Sequence, residues 1–459
     1  MTDIIFQSAL SIARALRKKE VSSVEITTAY LDRIEQVNHK LNAVVMLDQS
    51  VMDQARAADM AMARGEVKGP LHGVPMTLKD SHDTEGVVTT GGTKGRSNFV
   101  PSADSTIAAR LKESGAVLLG KTNTPELTMG IETENLVYGR TSNPYDHERT
   151  CGGSSGGAAA IVAAGGSPFD IGSDTGGSIR FPAHCCGVTG IKPTSGRVPR
   201  TGHIIPHGMG VRDSLTQIGP IARYVEDLAL ILPIISGPDW RDPAIVPMPL
   251  YHADDVDVSS LRVAFYTDNG IKAATPETVS TVNSASAVLE DIGASTEEDR
   301  PRAITEYDIA WQSIPNVDDS INRRLEVEGT IDPHPWTIAA IEDGKSMTVA
   351  EFGSLLEEID SFRSDILGFM KDYDVLLSPT MPTPALPHGE IRAERLVHGS
   401  YTRPHNVTGW PATVVRGGTS PEGMPIGVQV VAQPWREDVA IAVAMAIESS
   451  LGGWEPPNI

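Results

Sequence analysis

The sequence predicts an α/β fold, a large mixed and mostly parallel β-sheet covered by helices on both faces. Strand-like and helix-like stretches alternate along much of the 459 residues, the pattern that buries a sheet between two helical layers. The composition, 40% hydrophobic and 21% charged, is that of a globular chain able to bury a sizeable core. No internal repeat, low-complexity tract or linker interrupts it. Residues 1–459 are therefore read as a single domain, within the size range of elaborated α/β enzymes.

In chain order, residues 6–18 and 22–37 read as amphipathic helices. The second is opened by Ser22 with Glu25 at the capping-box position. A third helix covers about 51–64 and stops at Gly65. Residues 76–78 then form a short apolar run that delivers Lys79. A lone lysine there reads first as a surface residue at a strand end, and a buried role needs a partner from elsewhere in the chain. Residues 104–113 are helical with Gly115 as the C-cap.

GAVLLGKT, 115–122, matches a phosphate loop letter for letter, but residues 116–119 read as the strand itself. Nucleotide binding is not expected. Further on, 179–186 continues a helix begun at Ser178, 224–235 is a helix despite Pro233, and LRVAFYT from Leu261 is a strand. Residues 276–369, with Trp311 and Trp336, read as a variable, mostly helical segment covering a pocket. DVLLSPT, NVTGWPATVV and MPIGVQVVAQ read as late strands, and a helix over 438–449 closes the chain.

Thirty-eight basic residues against 59 acidic ones give a formal net charge of −21, and no Lys/Arg cluster stands out. Nucleic acid and anionic membrane are therefore not expected as partners. Cys151, Cys185 and Cys186 are too few for a disulfide framework and suit a reducing compartment. The N-terminal stretch lacks a signal-peptide pattern and no apolar run reaches membrane-spanning length, so a cytoplasmic location is expected.

The chemistry concentrates in 152–178, GGSSGGAAAIVAAGGSPFDIGSDTGGS. GGSSG matches G-x-S-x-G, which would make Ser154 an elbow nucleophile with Asp and His partners, yet no buried strand precedes it. The second cluster is better placed. DIGSDTGGS leads from a strand through a glycine turn into a helix, with Ser178 at its N-terminus, where the amides of Thr175, Gly176, Gly177 and Ser178 converge as an oxyanion hole. Asp174 and Arg180 flank the turn, and the sequence leaves open whether they form a buried brace or a surface pair.

GVPMTLKD, GGSSGG, GSDTGGSIRFPA, DVLLSPTMPTPA, NVTGWPA and MPIGVQVV, in this order, resemble the amidase signature family over most of the chain. The resemblance implies an amide hydrolase with Ser178 as nucleophile, Ser154 as bridging serine after a cis Gly153–Ser154 bond, and Lys79 as base. It implies no metal and no organic cofactor. A hydroxyl needs a base to take its proton, and a lysine serves only when neutral, which desolvation favours. His184 and His405 then become structural or substrate-facing.

Substrate contacts are expected from Met129, Gly130 and Ser155, from the turn 203–209 and from the variable helical segment. The expected reaction is cleavage of a neutral small-molecule amide, aryl amides included, with esters or carbamates as side substrates. A homodimer is left open. Two alternatives stand beside it: the glutaminase subunit of a tRNA-dependent amidotransferase, and a Ser-His-Asp esterase with Ser154 as nucleophile. Glutaminase members would carry an acidic residue near Gly399, where HGSYTRPHN offers no carboxylate.

Overall fold

The computed structural model describes residues 4–208, 215–307, 332–342 and 347–459. Helices α1 (Ala9–Arg17), α2 (Ser23–Leu41) and α3 (Val51–Ala63) open the chain, and the capping box of Ser22 and Glu25 forms at the start of α2. Strands β1 (Val44–Leu47), β2 (Pro75–Lys79) and β3 (Val117–Thr122) form a small sheet in the order β1-β3-β2, with α4 (Thr106–Glu113) between the last two. The phosphate-loop letters thus end inside a buried strand, as their apolar character predicts.

After the two-stranded ribbon of β4 (Glu134–Asn135) and β5 (Gly139–Arg140) comes α5 (Gly156–Ala163). The large sheet follows, built from β6 (Phe169–Asp174), β7 (Thr189–Lys192), β8 (Gln217–Ala222), β9 (Arg262–Phe265), β10 (Ser295–Glu298), β11 (Val375–Pro379), β12 (Ala412–Thr419) and β13 (Pro425–Ala432). Its order is β10-β9-β11-β13-β12-β7-β8-β6. Helices α6 (Arg180–Cys185), α7 (Val225–Ile235) and α8 (Pro276–Ile292) come from this part of the chain, and Glu437–Leu451 closes it.

The sheet is mixed, but the expected parallel majority is wrong. Only β10–β9 and β9–β11 run parallel; the five other neighbouring pairs are antiparallel. Strands β6, β8 and β13 are buried along their whole length, so their apolar runs look like parallel strands in sequence. What decides direction is the connection. The Ser420–Met424 turn, closed by Ser420 N–H to Met424 O at 2.7 Å, folds β12 onto β13 as a hairpin.

Two local expectations also change. NVTGWPATVV does not form one strand: Arg403–Val407 is helical and β12 starts only at Ala412, after Gly409 (φ +72°) and Pro411 break the path. The covering segment contains strand β10 beside the helices Ala303–Glu306, Pro335–Glu342 and Val349–Met370, and Trp311 lies outside the described residues. Among the described residues, no helix is long and apolar enough to cross a membrane.

Helix α5 brings the two sheets together. All eight of its residues, GGAAAIVA, are buried, and a Cβ on Gly157 would come within 2.4 Å of the Asn123 amide nitrogen just past β3. Small side chains let the helix sit directly between strand ends. Its N-terminus therefore meets the C-terminal ends of β2 and β6, and it is there that Lys79, Ser154 and Asp174 converge.

Candidate active site

Lys79 ends β2 with its side chain fully buried, so the surface reading fails. Its Nζ lies 2.7 Å from Ser154 Oγ, 2.9 Å from Ser155 Oγ and 3.0 Å from Ser173 Oγ. Burial lowers its pKa to about 7, while the nearby carboxylates of Asp170 and Asp174 pull the other way. The amine can thus be neutral near neutral pH.

The Gly153–Ser154 peptide is cis. A Cβ on Gly153 would come within 2.7 Å of Ile131 C and Glu132 N, so glycine is what lets this segment lie against the 129–132 loop. That loop carries Met129 and Gly130, both half-buried, beside the cis peptide. Just before it, Leu127 and Thr128 hold left-handed φ values of +51° and +58°, a conformation that costs a non-glycine residue energy. Buried Glu126 ties it to the covering segment, accepting from His334 N–H at 2.7 Å and Thr337 Oγ1 at 2.6 Å.

Ser155 does not face a substrate pocket, contrary to expectation. It is fully buried, contacts Lys79 Nζ and takes the Ser173 amide at 3.3 Å, because α5 starts with that side chain turned inward against Gly172. Ser178 stands half-buried past the 175–177 turn, and its carbonyl accepts the Ser155 amide at 3.1 Å. The two serine clusters are stitched together through the backbone.

Asp174 and Arg180 form a buried brace, not a surface pair. Both side chains have no exposure, with Arg180 Nη2 and Nε at 2.9 and 3.0 Å from the carboxylate. Asp174 also accepts from the Gly177 and Ile179 amides at 2.8 and 3.1 Å and from Asn406 Nδ2 at 2.9 Å. Burial pushes the carboxyl pKa up, and Arg180 and Asn406 outweigh it, holding Asp174 well below the usual carboxylate range.

This network corrects one oxyanion donor. The Gly177 N–H points at Asp174, so of the four expected amides those of Thr175, Gly176 and Ser178 remain for a ligand. Gly177 has φ +129°, and a Cβ there would meet Phe181 at 2.6 Å and Thr402 Oγ1 at 2.7 Å. The turn depends on glycine at that position.

Arg180 Nη1 donates to Thr402 O and Gln429 Oε1, both at 2.8 Å, which ties the 175–178 turn to β13 and to the helix before β12. Replacing Arg180 by Met is expected to cost about 3–5 kcal/mol of stability, because it leaves the Asp174 carboxylate buried without its cation. Urea unfolding checks this, and an Asp174→Asn change added to Arg180→Met should recover part of the loss.

Histidines stay outside the hydrogen-bonding of the serines. His184 accepts the Gly427 amide at 3.0 Å and pairs with Thr383 O at 3.0 Å, while His405 is buried with a pKa well below the usual range through desolvation. Among the described residues no histidine bonds Ser154 or Ser178, and no strand leads into Ser154, only isolated bridges at Arg149 and Thr150 followed by bends. The elbow-serine arrangement is not assembled. Of the expected pocket turn, His203 is buried against His82 with ring centroids 4.8 Å apart, and Met209 lies outside the described residues. Sequence reasoning misses Ser173, Asp170 and Asn406, for polar residues at strand and helix ends carry no signal of their own. The three cysteines are free and buried, as expected.

Comparisons with known proteins place the chain in a family. A family model described as Amidase matches residues 25–440. The chain is 38% identical to a glutamyl-tRNA(Gln) amidotransferase subunit from Moorella thermoacetica, covering 98% of this chain and 97% of that protein. It is 34% identical to an acylamidase of Rhodococcus erythropolis, covering 96% and 95%. A solved structure of 6-aminohexanoate cyclic dimer hydrolase with substrate superposes with a TM-score of 0.89 at 29% identity, covering 99% of both chains. The chain belongs to the amidase signature family of amide-hydrolysing enzymes.

Proposed function

We propose that the protein hydrolyses a neutral small-molecule amide through an acyl-enzyme, with residues 1–459 acting as one catalytic unit. The observation that carries this is the 2.7 Å contact between the buried Lys79 amine and Ser154 Oγ, next to the turn that holds Ser178. A neutral Lys79 accepts a proton from Ser154, which in turn accepts the proton of Ser178, freeing its Oγ to attack the carbonyl carbon. The amides of Thr175, Gly176 and Ser178 hold the oxyanion. On collapse, the C–N bond breaks and the leaving nitrogen receives a proton from Lys79 by way of Ser154. Water, deprotonated along the same path, then releases the acid and restores Ser178.

Similarity to an acylamidase and to a cyclic-dimer amide hydrolase supports an uncharged substrate, with Met129 and Gly130 at the binding face. The second reading, glutamine hydrolysis for a partner protein, is favoured by the 38% identity to an amidotransferase component. Against it, residues 398–406, where an acidic residue is expected, carry no carboxylate, and the side chain beside Gly399 is that of Arg403. A panel of acyl anilides, primary amides, carbamates, esters and glutamine decides. Turnover of uncharged amides with little or none of glutamine is expected, and ammonia release from glutamine alone would overturn the proposal.

A further inference from the structure

The proposed mechanism leaves one buried acid beside Lys79 without a task. Asp170, on β6, has no exposed surface and enters no ion pair among the described residues. Its Oδ2 accepts from Thr122 Oγ1 at 3.0 Å, and the Thr77 hydroxyl and the Lys79 amide lie near enough to favour its ionised form, opposing burial. Thr122 is the residue directly opposite Lys79 in the parallel β2–β3 pair. Three residues further along the same strand as Asp170, Ser173 contacts the Lys79 amine. Ser167, at the other end, takes the Thr77 amide of β2 at 3.0 Å. Asp170 is thereby held, through Thr122, one strand across from the lysine.

A carboxylate removed from water must either keep a counter-charge or hold a proton. The charged and titratable groups around this pocket are few. Asp174 is neutralised by Arg180. Lys121, on β3, is turned toward His82 O and the hydroxyls of Thr84 and Thr89. His82 and His203, in the flanking loops, have pKa values depressed by burial and stay neutral. Asp170 enters no ion pair among the described residues, and the cations near enough to act on its charge are Lys121, shared with the buried Asp80, and Lys79 itself.

We propose that Asp170 is a positioning residue for Lys79: its carboxyl, held by Thr122, sets the pH at which the lysine becomes a neutral base. Burial raises the Asp170 pKa to about 6, close to the value of about 7 for Lys79, so the two groups compete for protons within the same range. While Asp170 is ionised it favours the ammonium form of Lys79. Without that charge the amine would lose its proton at a lower pH. The proposal rests on Lys79 being the base.

The test is the pH dependence of kcat/KM for a neutral amide in the wild type, Asp170→Asn and Thr122→Val, with Lys79→Ala as a separate arm. Asn keeps the carbonyl that accepts from Thr122 and removes the charge. The acid limb is expected to move to lower pH by about one unit in Asp170→Asn. Thr122→Val, which keeps the side-chain shape and removes the donor that favours the ionised carboxyl, should move it in the same direction by less. A limb that stays in place or moves up in both variants, whatever the loss in kcat, overturns the proposal. Should Asp170→Asn fail to fold, Thr122→Val alone decides by the same criterion. Activity surviving in Lys79→Ala would instead refute the lysine base itself.

Discussion

Lys79→Ala is expected to lower kcat by about three to four orders of magnitude while the protein keeps its fold. The loss is that of a positioned proton acceptor and donor, whose contribution is typically about 10²–10⁴-fold, at the upper end because the same group serves both half-reactions. Steady-state kinetics on an acyl anilide checks the rate, and circular dichroism with a thermal melt checks the fold. Removal of a buried amine leaves three hydroxyls, of Ser154, Ser155 and Ser173, that can bond to one another or to a water. Collapse of the site is therefore not expected. The same reasoning gives the wild-type enzyme an acid limb near pH 7, where the pKa of Lys79 lies. Because the neutral amine is the active form, the rate falls as pH drops through that value, about tenfold per unit below it.

Ser178→Ala should lower turnover further, by about five to six orders of magnitude, since it removes the atom that forms the covalent intermediate and not merely its activator. KM for the substrate should change little, because the 175–177 turn is held by Asp174 and Arg180 independently of the Ser178 hydroxyl. Rapid quench with an activated ester should show an acyl-enzyme burst in the wild type and none in this variant. A burst of normal size would mean that another residue is acylated.

How much of the molecule is legible in the sequence varies with the kind of interaction. Helices α1–α4 and α7 follow from periodicity and caps, signals that lie within a few residues of each other. Sheet direction does not, because a buried run such as β6 reads the same whichever way its neighbour points. Lys79, Ser154 and Ser178 follow from motif order, and the structure adds the burial that makes the lysine chemically sensible. Gly177 reads in sequence as a donor to a ligand, whereas its amide serves Asp174. That assignment depends on a carboxylate three residues back folding over the turn, a three-dimensional fact. Asn406 and Gln429, which bind the brace from more than two hundred residues away, have no local pattern that could place them.

In the proposed mechanism two serines divide the labour: Ser178 attacks and Ser154 relays a proton to Lys79. Labelling of the wild-type protein with a fluorophosphonate, followed by peptide mapping, tests it most directly. The adduct is predicted on Ser178, with none in Lys79→Ala over the same time. An adduct on Ser154 would contradict the account, and with it the roles assigned to Lys79 and to the 175–178 turn.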